Sequence, residues 1–419
     1  MPPAMEPLLF LAHRIPYPPN KGDKVRSFNL LRVLARHYAV HLGAFIDDPE
    51  DRVHIPRLDQ YCASHHIEAL SPAAARVRSL KGLVSGQALS LGYYESAAMT
   101  RWVNETIERH RIERALVFSS AMTQYVLGRR DLRVVVDFVD VDSAKWAQYA
   151  ALRPWPVSWV FRREGERLLA YDRMVSRDTA ASVFVTADEA ELFRSLAPEC
   201  AAKVQYAHNG VDVDYYASDP ARPSPFAAGE LPIVFTGAMD YWPNIDAVRW
   251  FASDVMPLLR AQQPAVRFHI VGMNPAPEVQ ALARTEGIVV TGRVPDVRPY
   301  LQHARAVVAP MRVARGIQNK VLDAMAMGRP VVVSAAAAKS LSGRVGVDFV
   351  VADNAADFAA AVLDLLPAEP GDAMGRAARD RVLADYDWPT NLAAVAKLLA
   401  GPASAAHRQP HPVAGLTAA

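Results

Sequence analysis

The sequence predicts an α/β protein made of two doubly wound parallel-sheet domains in tandem. Short apolar runs alternate with amphipathic stretches along most of its 419 residues, the pattern of βα units. The runs are near-continuously apolar, as in strands buried on both faces. A segment rich in Pro, Asp, Ser and Gly, "NGVDVDYYASDPARPSPFAAGELP", interrupts the series at 209–232 and marks a domain boundary.

Taken in order, "LLFLAH" reads as a first strand. "KVRSFNLLRVLARHY" has apolar residues at helical spacing, and "AVHLGAF" returns to a strand. "ESAAMTRWVNETIERHR" is helical, "RALVFSS", "LRVVVDFVD" and "ASVFVTA" are strands, and "ADEAELFRSLAP" is a helix. After the boundary come strand "PIVFTGA", helix "NIDAVRWFASDVMPLLRAQ", strand "VRFHIVG", helix "APEVQALARTEG", strand "IVVTG", helix "VRPYLQHA" and strand "RAVVAP". "RGIQNKVLDAMAMGRPVVVS" follows as a loop, a short helix ending at Gly328, and a strand; helices near Ala355–Leu366 and Gly375–Tyr386 close the series. A cleft is expected between the two domains.

Composition narrows the function. A net charge of +2 gives no nucleic-acid signal. Two distant cysteines, Cys62 and Cys200, exclude a disulfide framework, argue against a cysteine-based zinc site and fit a reducing compartment. "PLLFLAH" is too short for the apolar core of a signal peptide and lacks a basic start. No segment has the ~18 apolar residues of a membrane span, so any membrane contact is expected to be peripheral.

Ligands of open α/β sheets lie beyond the carboxyl ends of the strands. In "HRIPYPPNKGDKVR", Asn20, Lys21, Gly22, Asp23 and Lys24 stand at the entrance to a helix. Asp23 suits a cap, Gly22 allows close backbone approach, and a helix start attracts anions. The same residues suit a capped turn with solvated lysines. The loop is neither a dinucleotide fingerprint nor a P-loop. Asp137, Asp140 and Asp142 end the strand "VVVDFVDVD"; such carboxylates can position a hydroxyl, act as a base, hold a cation, for which no His or further acid is spaced to complete a shell, or simply form a turn.

In the second half, three strands end in glycine-bearing loops: Gly237, then "AMDYWPN" with Tyr241 and Asn244; Gly272; and Gly292 with Arg293 and Val294. Together they suggest a nucleotide cradle. Gly316 lets the backbone turn beneath a ligand, the amides near Ile317, Gln318 and Asn319 suit an anion, and Lys320 adds charge. Asp323, one turn on, repels phosphate and suits a neutral diol. A buried helix with one capping acid and a snorkelling lysine is the plainer alternative.

With these motifs in place, the chain resembles the GT-B-fold glycosyltransferases, particularly the retaining family 4 type. "FTGAMDYWPN", "HIVG", "VVTGRVPDV", "RGIQNKVLDAMAMGRPVVVS" and "HNGVDVDYY" carry the resemblance. "HRIPYPPNKGDKVRS" and "VVDFVDVDSAKWAQYA" resemble a bacterial subfamily tied to exopolysaccharide (exosortase, PEP-CTERM) gene clusters. The resemblance implies an acceptor-side domain over 1–208, a linker over 209–231, a nucleotide-sugar domain over 232–385, a helix over 386–400 returning to the first domain, and a disordered tail over 401–419.

It further implies a nucleoside-diphosphate sugar donor, with its diphosphate at Arg315–Lys320, its base against Arg293 and Val294, and its ribose near Asp323. The acceptor, a glycan or lipid-linked saccharide, would enter by Asn20–Lys24 and the acidic strand end. No tightly bound cofactor, metal or nucleic acid is implied. A cytoplasmic location is expected, with peripheral contact at the inner membrane surface through "KVRSFNLLRVLARHY" or "ARVRSLKGLVSG".

Three departures from the family pattern stand out. Of two glutamates eight apart, the first falls on Arg315 and the second on Asp323. "AMDYWPN" lacks the Arg and Lys that many relatives carry there, so Arg315 and Lys320 are the charges left to grip the diphosphate. Val139 and Asp140 replace a histidine near Phe138, which makes Asp140, with Lys320 and Arg315, a candidate catalytic residue. These departures keep open a sugar-nucleotide epimerase or hydrolase, or a non-catalytic binding member.

Overall fold

The structure is a computed structural model that describes residues 5–19, 21–151, 153–314, 317–367 and 372–401. It divides into two compact units, one of residues up to Ala207 together with those from Leu392, the other His208–Asn391.

In the first unit the strands are β1 (Glu6–Ala12), β2 (Tyr38–Ile46), β3 (Ser64–Ala69), β4 (Arg114–Phe118), β5 (Arg133–Val139), β6 (Ala181–Phe184) and β7 (Val204–Tyr206). They form one sheet in the order β3-β2-β1-β4-β5-β6-β7, every pairing parallel. Leu8 to Ala12 are completely buried, so helices must cover both faces of β1, which explains the unbroken apolar run. The chain leaves β1 in one direction for β2 and β3 and in the other for β4 onward. The switch point therefore lies between the carboxyl ends of β1 and β4, where such sheets bind ligands.

The second unit repeats this plan. Its strands β8 (Leu231–Thr236), β9 (Val266–Val271), β10 (Ile288–Gly292), β11 (Ala306–Ala309), β12 (Val331–Val333) and β13 (Val350–Val351) form a parallel sheet ordered β10-β9-β8-β11-β12-β13. Its switch point lies between β8 and β11. The fold class expected from the sequence is the one observed.

Several local expectations need correction. The segment 209–231 is not a free linker: Val211 belongs to the core of the second unit, and Val213, Tyr216 and Phe226 pack against it. The helix expected over "NIDAVRWFASDVMPLLRAQ" starts at Trp242 and is interrupted by a π-helical turn at Phe251–Val255, which accommodates Pro257 near the start of the next segment. "KVRSFNLLRVLARHY" forms the helix Gly22–Leu34, which buries Lys24, Arg26, Phe28, Leu30, Leu31 and Leu34. It packs into the domain and presents no free face of the kind a membrane surface needs. The helix Trp388–Ala400 passes Leu398 and Leu399 to the first unit, where Arg133 and Arg114 donate to their carbonyls at 2.8 and 3.0 Å. The expected tail beyond 401 lies outside the described residues, as do Asn20, Arg315 and Gly316.

Candidate donor and acceptor sites

The second unit gathers its site at the switch point. Phe235 is near the end of β8, and Gly237 donates its N–H to Val271 O at 3.1 Å. The turn that follows ends in the helix Trp242–Trp250, whose Asn244 is buried and donates to Ala238 O at 2.9 Å. That bond fixes the amide with Oδ1 outward, and Lys320 Nζ donates to it at 2.6 Å. Lys320 stands in the first turn of the helix Asn319–Ala326. Its ammonium also lies 4.5 Å from the centroid of the Phe235 ring and 3.7 Å from Met311 Sδ, just past β11.

So the lysine has one strong acceptor, a neutral one, for three protons. Burial pushes its pKa down from 10.5 to about 7, with Asp323 pulling the other way. Burial likewise pushes Asp323 up from 3.8 to about 7, against a hydrogen bond from the Tyr216 hydroxyl and the charge of Lys320. The two groups sit at the edge of ionisation, and an anion placed beside Lys320 would restore its charge.

The other donor-side residues divide. Asn319 Oδ1 accepts from Asn209 Nδ2 at 3.2 Å. Gln318 is the residue before the helix, in extended conformation with no side-chain cap bond. Ile317 is buried in the apolar core and Val294 packs against that core; their side chains are structural, and only their backbone is left for a ligand. Arg293 and Tyr241 are exposed at their loops. Gly272 has a packing reason: a Cβ there would lie 1.7 Å from Gly237 O. Gly237 itself faces Asn244, whose Nδ2 a Cβ would meet at 2.8 Å.

In the first unit, the residues expected at the helix entrance are placed differently from expectation. Lys24 is buried and its ammonium sits between both carboxylate oxygens of Asp51, 2.9 Å from each, so it is not a free phosphate ligand. Asp23 does not cap the helix: Lys21 holds the cap position, with no side-chain cap bond, and Gly22 opens the helix. Instead the Asp23 carboxylate meets His13 Nε2 at 3.2 Å and Arg14 at 2.8 Å. Although burial opposes its charge, His13 and Arg14 hold it well below the usual carboxylate range. Arg14 also donates to Asp47 at 2.8 Å. The His13 ring stacks on Phe118, the last residue of β4, with centroids 5.7 Å apart. His13 thus occupies the switch point of this sheet, with Nδ1 buried and unpaired. Its only signal in the sequence is its position, directly after the first apolar run.

The acidic strand end is also resolved into roles. Asp137 is fully buried against Arg26, at 2.9 Å, and accepts from Val139 N at 3.1 Å; it is a structural ion pair. Val139 takes φ +69°, a strained conformation for a β-branched residue, and this turns Asp140 off the strand. Asp140 bonds Lys145 at 2.7 Å through Oδ2, while Oδ1 is buried without a partner. Asp142 shares the same lysine at 3.0 Å. Among the described residues, no group of three His, Cys, Asp or Glu is placed to hold a metal ion.

With this geometry in view, comparison with known proteins is specific. Residues 230–367 match the family model described as glycosyl transferases group 1. No curated protein matches the chain in sequence. Solved structures match nearly end to end. Anabaena HepE in complex with UDP-glucose is 14% identical, with a TM-score of 0.68 over 94% of this chain and 99% of its own. Sucrose-phosphate synthase from Thermosynechococcus elongatus is 16% identical, with a TM-score of 0.69 over 94% and 98%. WaaG, a glycosyltransferase involved in lipopolysaccharide biosynthesis, is 14% identical, with a TM-score of 0.63 over 94% and 100%. At these identities the likeness establishes the fold. The chain therefore has the GT-B fold, and its residues 230–367 are similar to the glycosyl transferases group 1 family.

Proposed function

We propose that this protein transfers a sugar from a nucleoside-diphosphate donor to a glycan or lipid-linked saccharide acceptor, with retention at the anomeric carbon, in the making of an exopolysaccharide. One observation carries the reading: at the β8/β11 switch point a lysine with a single neutral hydrogen-bond acceptor stands in the first turn of a helix, which is the chemistry of a diphosphate site. The HepE complexes contain UDP-glucose and UDP, which makes uridine the first base to test. Lys320 and the helix amides would stabilise the charge that develops on the leaving diphosphate. A diphosphate oxygen would then take the proton of the attacking acceptor hydroxyl on the same face of the sugar. Asp323, held by Tyr216, would accept from the ribose diol.

On the acceptor side, His13 with Asp23 and Arg14, and Asp140 with its unpaired Oδ1, are the groups suited to orient a hydroxyl. The resemblance to an exopolysaccharide subfamily, together with the lipopolysaccharide role printed for WaaG, supports a saccharide acceptor at the cytoplasmic face of a membrane. The test is a thermal-shift screen of uridine, guanosine and adenosine diphosphate sugars. A rise in Tm with one base, lost in Lys320→Met, is expected. No response to any of them would overturn the donor assignment.

A further inference from the structure

The first unit carries a surface that the proposed transfer does not use. Residues 70–94 and 143–163 hold seven lysines and arginines and no aspartate or glutamate, in a chain whose net charge is only +2. The two stretches fold into one block. The helix Pro72–Ser79 runs on into Lys81–Ser85 through Leu80, which keeps helical φ −61° and ψ −22°. Arg163, on the helix Val157–Asp178, donates to the carbonyls of Gly82 and Gln87. The neighbouring Glu164 accepts from the N–H groups of Leu89 and Ser90 at 2.6 and 2.9 Å.

This block exposes apolar side chains where a free monomer would bury them. Val84 is 94% exposed, Trp155 80% and Val77 70%, with Leu80 and Trp159 more than half exposed. Val77, Leu80 and Val84 follow at three and four residues and so share one helix face. Trp159 lies one turn before Arg163, toward the segment that Arg163 holds. Around them Arg76, Lys81, Arg153 and Arg162 are exposed.

We propose that this block docks the protein on an anionic lipid bilayer, with Trp155, Trp159, Leu80 and Val84 at headgroup depth and the four cations on lipid phosphates. Tryptophan favours that depth because its ring is apolar and its N–H polar. Apolar residues seat an interfacial helix, and the four exposed cations supply its attraction to anionic lipid. Among the described residues no helix is long and apolar enough to cross a membrane, so the contact is peripheral. The inference deepens the proposed function, on which it rests for its purpose, by naming where a lipid-linked acceptor would be met.

The test is co-sedimentation of the full chain with vesicles of phosphatidylcholine alone and of phosphatidylcholine mixed with phosphatidylglycerol. Binding to the mixed vesicles at least about tenfold tighter than to neutral ones is expected, weakening with salt. Trp155→Ser with Trp159→Ser, and separately Arg76→Glu with Lys81→Glu, should each lower it about tenfold while Tm and nucleotide-diphosphate binding stay at wild-type values. Absence of vesicle binding, equal binding to neutral vesicles, or binding untouched by both variants overturns the inference. A concentration-dependent dimer abolished by the same variants, with no lipid binding, would assign the surface to a second copy instead. Vesicle binding without any nucleotide binding would count against the transferase reading alone.

Discussion

Replacing Lys320 by methionine separates a binding lysine from a structural one, because the two roles give stability changes of different size. Methionine keeps the stem beside Phe235 and Met311 and removes only the ammonium. An amine whose pKa falls from 10.5 to about 7 holds its charge at a cost of several kcal/mol by the usual conversion. Its side chain keeps only partial solvent exposure, and the screening this allows reduces that to about 2 kcal/mol. Removing the charge returns this amount, but leaves Asn244 Oδ1 without its donor, a loss of about 1–3 kcal/mol. The two terms offset, and unfolding in urea should shift by no more than about 1 kcal/mol.

Nucleoside-diphosphate affinity, read by calorimetry, should instead fall by about 1.5–3 kcal/mol, or roughly 10- to 150-fold. The wild type should also take up protons on binding, because the anion pulls the lysine pKa back up. Its affinity should therefore fall as pH rises above about 7, by up to about tenfold per unit. Asp323 ionises over the same range and repels the diphosphate, so the variant should retain only a shallower fall. Wild-type affinity in Lys320→Met, accompanied by a loss of more than about 2 kcal/mol of stability, would refute the diphosphate role and leave Lys320 a packing residue.

Three further outcomes are expected. Asp323→Asn should weaken binding of nucleotides with an intact ribose diol more than of their deoxy analogues, compared by calorimetry above pH 7; equal losses would remove the diol role. Gly272→Ala should cost more than about 3 kcal/mol in urea unfolding, since its Cβ would fall 1.7 Å from a backbone oxygen; a loss below about 1 kcal/mol would contradict that packing. Asp172 is buried with one carboxylate oxygen unpaired, and burial raises its pKa to about 8. The folded state therefore keeps a proton that the unfolded chain releases near 4. Its stabilising effect is complete below about pH 4 and is lost as pH rises to about 8, at up to about 1.4 kcal/mol per unit. Asp172→Asn should flatten that part of the stability profile, followed by denaturant melts from pH 5 to 8; an unchanged slope would contradict the assignment.

The fold was legible because parallel strands buried on both faces write themselves as apolar runs, as in "LLFLA" and "PIVFT". Strands at sheet edges did not show. β3 reads "SHHIEA", with each residue partly exposed or exposed, and β13 is two residues long. The long helix Val157–Asp178 escaped notice because its start lies among exposed tryptophans rather than on a clean apolar stripe.

At the site, Lys320 and Asp323 could be singled out as charges on apolar ground. Of their partners only Asn244 stood in the expected cradle; Phe235, Met311 and Tyr216 join it only through the β8/β11 crossover, which no local pattern encodes. In the loop before the first helix the charged residues were visible in the sequence and their pairings were not. Lys24 turned inward to Asp51, and Asp23 turned to His13 and Arg14, because a helix start packed beneath a sheet neutralises its charges by long-range pairs.

The most direct test is the release of nucleoside diphosphate from a nucleotide sugar by this protein, measured with and without a saccharide or lipid-linked acceptor. Release is expected to depend on the acceptor, to match the sugar transferred mole for mole, and to collapse in Lys320→Met. Release or isomerisation at the same rate without an acceptor, or tight nucleotide binding with no turnover under any acceptor, would contradict the transferase reading.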